Sequence, residues 1–503
     1  MTLTNTLANF AGQVVAPILS IALVPFYIGQ LGLEGYGLVG FFSMLVALLG
    51  VLESGLGAAL VREFARRSVS EVRRTSLWGL LRTFEVFYWA IGLMMAIVLI
   101  GASSLVSTSW VRVESITVTT LRLCLLLISA RIALTFPMGV YRAAFVGTQR
   151  QVRENALGAI VAVITAASGV AVVLITRSVI GLYANELVNA TWGLVLFRSR
   201  AFRILEPWDK IVAGTGFQWT ELRNLWRISV QLIWTQGIGL VVTQFDRLVI
   251  SRLLPIASLG VYTAGIAGGR LVSMFYGPFI KAVIPQTAQL AQDSNGEGLH
   301  AHLLRNAKVV MILGMSVGMP TVFFSRDILQ AWTGNSTIVK DGTTVMSIYV
   351  IGSILISYTD VLYQAQIALG KMQYNVLFNT LALGWFLPAV WVLVDHFGLV
   401  GAAWAWALYG AVAYLFHVVV TTRLIDVRGG LLAFVRVGLL TTVVGVLVLG
   451  LARGLAAAWF PDSTWARLLV AAAGSGTCLA TCYWISFGTR VPAEVRALLP
   501  QRG

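Results

Sequence analysis

Residues 24–67 read VPFYIGQLGLEGYGLVGFFSMLVALLGVLESGLGAALVREFARR. The stretch holds the end of one apolar segment, a Gly-rich turn around Gly35-Tyr36-Gly37, a second apolar segment containing Glu53, and a basic stop. A helix needs about 20 apolar residues to cross a hydrocarbon core of ~30 Å, so the unit reads as a membrane-spanning helical hairpin. A second copy of the turn, Leu259-Gly260-Val261-Tyr262, lies far downstream and makes the chain readable as two halves.

Composition agrees with that class. With 58% hydrophobic residues, 11% charged residues and a mean hydropathy of +0.83, the chain is an all-α polytopic membrane protein and not a string of soluble domains. The net charge of +15 then reads as loop charge that sets topology, and nucleic acid is excluded as a partner. The opening MTLTNTLANF has no basic n-region and no small-residue cleavage site, so it starts the first span and is not a removed signal. Cys124, Cys478 and Cys482 all fall in apolar runs, at spacings that suit neither a disulfide framework nor a metal.

Fourteen apolar runs follow one another, at 8–29, 36–60, 83–106, 118–140, 156–175, 179–197, 224–250, 256–285, 307–325, 342–369, 375–394, 398–421, 432–452 and 465–487. When the linkers are assigned alternately, one set including the C-terminal tail carries 21 Lys and Arg and the other carries 7. That bias places the first set, and both chain ends, in the cytoplasm. The linker 198–223 interleaves Arg and Lys with Phe202, Trp208, Phe217 and Trp219, as a segment lying on the inner leaflet would; an ordinary linker with topogenic charge fits equally well. Tyr36 and Tyr262 are 226 residues apart, and Gly147 and Gly370 are 223 apart, so the two halves are a duplication. The expected organisation is an N-lobe at 1–197 (spans 1–6), a cytoplasmic linker at 198–223, a C-lobe at 224–422 (spans 7–12), and spans 13–14 with a tail at 423–503. Each copy starts from the same side, which relates the two six-helix lobes by an axis along the membrane normal.

A charge at the centre of a span costs about 2.5 to 3.5 kcal/mol even on lenient insertion scales, so charges kept there face protein or a water-filled cavity. Arg131 and Arg142 are 11 residues apart on span 4, nearly three turns, and so project from one face. Arg270 and Lys281 repeat that spacing on span 8. Each pair forms a cationic ladder toward the cytoplasm, suited to an anionic headgroup because guanidinium donors match phosphate oxygens. Arg122, which can also snorkel outward, joins this group, with Glu53, Glu85, Asp246 and Asp360 as cavity or ion-coupling carboxylates. The competing account pairs each cation with a carboxylate, Glu53 or Glu85 for Arg131 and Asp360 for Arg270. There is no GxxxxGK[ST], HExxH or GxSxG motif, so neither an ATP-driven machine nor a membrane hydrolase is indicated, and no cofactor or metal is expected. His300 and His302 fall in a hydrophilic internal loop, where solvation is expected.

Residues 10–66, FAGQVVAPILSIALVPFYIGQLGLEGYGLVGFFSMLVALLGVLESGLGAALVREFAR, resemble the N-terminus of the polysaccharide transport branch of the multidrug/oligosaccharidyl-lipid/polysaccharide exporter superfamily, the oligosaccharide flippases. The resemblance rests on Leu31-Gly32-Leu33-Glu34-Gly35-Tyr36-Gly37, on Glu53-Ser54-Gly55-Leu56-Gly57, where Glu stands in place of the more usual Asp, and on FDRLVISRLLPIASLGVYTAG at 245–265. It spans residues 8–422. It implies a bacterial inner-membrane transporter, not an enzyme, with a central cationic cavity that alternates between inward and outward openings. The implied substrate is an undecaprenyl-diphosphate-linked oligosaccharide, moved from the cytoplasmic to the periplasmic leaflet for surface polysaccharide synthesis. The implied partners are membrane lipids, the polysaccharide polymerase machinery and H+ or Na+ as a coupling ion. A peptidoglycan lipid precursor flippase and a cation-coupled multidrug exporter of the same superfamily are the alternatives.

The loop bias generates a direct test. With single Ser70→Cys and Ser336→Cys variants in intact cells, a membrane-impermeant maleimide should label the variant at 336 and spare the one at 70. Equal labelling of both would rule out the fourteen-span order.

Overall fold

The computed structural model describes residues 17–68, 77–205, 217, 219–292, 296–426 and 429–488. Regular structure among them is helical, apart from one parallel bridge between Arg112 and Pro255. Ten helical stretches among the described residues are long and apolar enough to cross a membrane. The chain is an all-α polytopic membrane protein with two compact units, residues 1–260 and 261–503.

The first unit is built on α1 (Val24–Ser68), followed by α2 (Leu77–Leu105), α3 (Val118–Thr135), α4 (Met138–Gly147), α5 (Gln151–Thr176), α6 (Val179–Leu205) and α7 (Trp219–Leu253). The quoted stretch is not one straight rod. Gly32 adopts φ 73° and ψ 177°, a left-handed backbone that a side chain disfavours, and it breaks α1 into the two arms of the hairpin. The second arm then runs against α7 and the first residue of the helix that follows it, at separations that only glycine allows. A Cβ on Gly37 would strike the carbonyl of Ile256, and a Cβ on Gly55 would lie 2.5 Å from the Ile233 backbone nitrogen. Small residues let helix backbones approach closely in lipid, where dispersion contacts replace the hydrophobic effect as the driving force. α4 packs on the opposite flank of α1, α2 on α3, and α6 on α3, α4 and α5. α7 therefore belongs to the first compact unit, although the sequence duplication counts it as the first helix of the second copy.

The segment 106–117 clasps this unit at one end. The Glu34 carboxylate accepts from the backbone N–H groups of Glu114, Ser115 and Ile116 and from the Ser115 hydroxyl. On the same segment, Ile256 N–H donates to the Arg112 carbonyl (3.0 Å) and Trp110 Nε1 donates to Ser251 Oγ (3.1 Å). At the basic stop, Glu63 takes both Arg66 and Arg67 at 2.6 Å. Arg73 and Arg74, like Trp208 and the rest of 206–216 in the 198–223 linker, lie outside the described residues.

α8 (Ile256–Gly265) crosses the division, and the second unit continues with α9 (Ala267–Gln292), α10 (Gly296–Phe323), α11 (Ser325–Thr333), α12 (Ser336–Ala368), α13 (Gln373–Ile425), α14 (Gly430–Trp459) and α15 (Thr464–Phe487). α10 and α12 form its centre; α9 lies on both, α13 along α12, and α14 and α15 on α10. α13 is broken at Gly398, with φ 59° and ψ −136°. A polar pin crosses from α12 to α13, where Gln366 Nε2 donates to Thr421 Oγ1 (2.9 Å) and its Oε1 lies 3.1 Å from His417 Nδ1. The expectation of solvated histidines at 300 and 302 is corrected here. Both sit on α10, His300 half-buried with its ring against Phe434 (5.6 Å). His302 is buried, within 3.1 Å of Thr287 and 2.8 Å of Asn306. A loop of polar letters had become the first turns of a packed helix.

The two C-terminal helices are fastened by one carboxylate. Asp327 on α11, 2% exposed, accepts from Arg453 of α14 (2.5 Å) and Arg467 of α15 (2.7 Å). Removing one partner from such a buried cluster leaves uncompensated charge, at a cost of about 3 kcal/mol. Asp327→Ala should accordingly lower the melting temperature of the purified protein by several degrees and increase proteolysis between α14 and α15. An unchanged melting temperature would show that the hairpin is held by apolar packing alone.

Candidate functional site

A groove of 370 Å³ opens in the first unit between α1 and α4. Gly50, Glu53 and Gly57 line it from α1, and Gly139, Arg142 and Val146 from α4. The residue spacing on α1 explains the lining, since positions 50, 53 and 57 recur every three or four residues and share one helix face. Glu53 lies flat over α4. An ideal Cβ on Gly139 would be 2.7 Å from Glu53 Oε1, so the carboxylate occupies the space a side chain there would need. Arg142 is half-exposed at the other side of the groove, its Nε 3.8 Å from Glu154 Oε1 on α5 and its guanidinium carbon 5.2 Å from the Phe197 ring centre. The groove thus offers one guanidinium and one carboxylate on two long apolar helical stretches, 24–53 and 118–147.

The other candidates separate into different environments. Arg131 lies on α3 and Arg142 on α4, on either side of a tightened turn at Phe136-Pro137 where Pro137 has no N–H to donate and both residues keep right-handed helical dihedrals. Arg131 turns to Glu186 of α6 at 3.2 Å, not to Glu53 or Glu85. Glu85 is engaged on all sides. It accepts from Tyr141 Oη and from Arg198 Nε, each at 2.6 Å, with Arg82 at 3.6 Å. Arg82 and Arg198 in turn lie over the Phe202 ring. Arg122 is exposed near the start of α3. Asp246 and Arg247 are both buried on α7, and Arg247 Nη1 donates to Gln244 Oε1 at 2.8 Å.

In the second unit, Asp360 on α12 accepts from the Tyr276 hydroxyl of α9 at 2.7 Å. Arg270 and Lys281 are exposed on α9, with Pro278 between them inside the helix. Among the described residues no three His, Cys, Asp or Glu side chains converge as metal ligands. The three cysteines are free and buried, and Cys478 Sγ lies 4.0 Å from Cys482 Sγ.

Glu186 and Arg198 are the partners that reading the charges one by one does not supply. Glu186 was reachable, since it is a carboxylate inside the apolar run 179–197 and meets the criterion that selected Glu53. Arg198 looked like a linker charge; only the extension of α6 to Leu205 brings it beside Glu85.

A family model described as "Polysaccharide biosynthesis protein" matches residues 2–291. A Shigella flexneri protein named "Putative O-antigen transporter" is 20% identical over 411 residues, covering 80% of this chain and 94% of that one. Among solved structures, the lipid II flippase MurJ in an inward closed conformation superposes with a TM-score of 0.72 at 13% identity, over 97% of this chain and 99% of the other. An inward-facing multidrug resistance MATE family transporter of the MOP superfamily gives 0.68 at 14% identity, over 82% of this chain and 96% of that one. The fold is shared with both.

The Arg131 and Glu186 pair can be weighed by a double-mutant cycle on thermal stability. Arg131→Ala and Glu186→Ala should fall short of additivity by about 0.5 kcal/mol or more, as contacting residues do. Additive losses would show that the two charges stand side by side without acting on each other.

Proposed function

This chain belongs to the polysaccharide biosynthesis protein family, and we propose that it is a flippase moving an undecaprenyl-diphosphate-linked oligosaccharide from the cytoplasmic to the periplasmic leaflet by alternating access. The observation that carries the reading is that the groove bearing Glu53 and Arg142 falls within the part of the chain that matches the family. A diphosphate is compact and doubly charged. A guanidinium facing a membrane-depth groove meets it with parallel N–H donors in a medium that screens the attraction poorly. Arg142 is the cation of this site, and Glu53, across the groove, is the carboxylate for a coupling proton or sodium ion. Glu85 is already committed to Arg198 and Tyr141, which leaves it little capacity for an ion. Arg131, Arg270 and Lys281 remain in the proposal as headgroup contacts at other stages of the cycle.

Fourteen crossings with both termini cytoplasmic, in a bacterial inner membrane, complete the reading. At about 1.5 Å per residue the 53 residues of α13 would reach ~80 Å, more than twice a hydrocarbon core, so the break at Gly398 supports two crossings there, as the break at Gly32 does in α1. With the other long helices this makes two six-crossing repeats, 1–197 and 224–422, and an added hairpin. The match to MurJ over 97% of the chain favours a second reading, a flippase for a peptidoglycan lipid precursor. Glycolipid that copurifies with gently solubilised protein, identified by native mass spectrometry, separates the two.

In vesicles carrying a fluorescent polyprenyl-diphosphate glycan, Arg142→Ala should slow transport about tenfold, the loss expected when one charge-assisted hydrogen bond disappears. Arg142→Lys should recover part of it, because charge stays while the planar fork is lost. Parental rates for Arg142→Ala would remove the groove from the transport path.

A further inference from the structure

A second cavity in this unit shares no lining residue with the Glu53 groove. It has a volume of 320 Å³ and is lined by Phe145, Leu157 and Ile204 together with Arg150, Arg153, Arg200 and Arg203. Two of the arginines come from the start of α5 and two from the end of α6, so the basic ends of two adjacent helices face one space. No carboxylate among the described residues lines it. The nearest acid in sequence, Glu154, is directed to Arg142 instead. Burial first, and then the neighbouring Arg153, push the Arg150 guanidinium below its ordinary value, the direction expected where cations gather without an anion. The first turn of α5 adds the positive end of the helix dipole.

Topogenic charge alone does not demand this arrangement. Four arginines spread over a loop would satisfy it equally, and separation would relieve their repulsion. Convergence around an apolar-floored cavity is what a ligand with phosphate above and hydrocarbon below requires. Basic pockets between helices at the membrane surface take the phosphates of anionic lipids in this way. We infer that the α5–α6 pocket binds the phosphate of an anionic phospholipid, its glycerol end resting on Leu157 and Ile204 and its phosphate oxygens taken by Arg150, Arg153, Arg200 and Arg203. This resident lipid is distinct from the transported one. The site lies within the first unit, and binding there does not depend on the substrate assignment.

The test uses the full chain in phosphatidylcholine nanodiscs containing a minor fraction of phosphatidylglycerol, with retained lipid counted by native mass spectrometry after delipidation. The parent should retain phosphatidylglycerol at least about tenfold over phosphatidylcholine relative to supply, given the pull of each surface cation on an anionic lipid. Arg153→Gln/Arg200→Gln/Arg203→Gln should abolish that preference. Ala156→Trp, which fills the cavity from an exposed position and keeps every charge, should reduce it as well and guards against a triple variant that fails to fold. Equal retention by the parent and Ala156→Trp would overturn the pocket. Displacement of the lipid by millimolar inorganic pyrophosphate would overturn the lipid as its source, showing a site for free phosphate anions.

Discussion

The first unit depends on a distance. Where α1 meets α7 there is no volume for a β-carbon on Gly55, and where it meets the start of α8 none for one on Gly37, because the Ile233 backbone and the Ile256 carbonyl already occupy it. A hydrophobic effect cannot bring two helices together in lipid, since tails and leucines are equally apolar; close backbone approach and dispersion must do so. Everything else in that unit is referred to α1. α4 lies on its other flank, the Glu53 groove is the seam between them, and segment 106–117 is held to its turn by Glu34.

Charge in the same unit follows a second constraint. An ion at membrane depth needs a counterpart or water. Glu85 has three donors around it, and Arg131 has Glu186. Glu53 differs, because what lies beneath it is a glycine backbone and what faces it is a groove. A carboxylate placed against bare backbone is free to change partner without disturbing packing, whereas one fixed between a tyrosine and two arginines is part of the frame. This distinction, more than depth in the membrane, is the ground on which Glu53 is proposed for transport and Glu85 for architecture.

The hairpin, its basic stop and the apolar runs were legible because hydrocarbon thickness acts directly on composition. Glu53 was legible as a charge where charge is costly, and Arg142 as the cation at the cytoplasmic end of span 4. The partner of Arg131 was not, since it meets Glu186 only through the packing of α6 on α3. Pro137, which stands between Arg131 and Arg142, removes one backbone donor and tightens the turn there, while the dihedrals stay helical. His302 shows the opposite failure, in which a polar neighbourhood concealed a buried side chain satisfied by Thr287 and Asn306. The motif glycines were visible as a pattern, but their reason is a neighbour about 180 to 220 residues away, and no local rule reaches that far.

Glu34 carries a consequence for biosynthesis. Its acceptors are filled by N–H groups 80 to 82 residues further along the chain. At ordinary rates of synthesis those groups emerge roughly 4 to 16 s after Glu34 itself. Through that interval the first hairpin is already apolar enough to enter the bilayer while the carboxylate at its tip has only water or headgroups for company. The tip must therefore wait at the membrane surface, and the arrival of residues 114–116 both caps it and brings the next hairpin alongside. One acidic side chain in a turn thus sets the order in which the first two hairpins of the protein are joined.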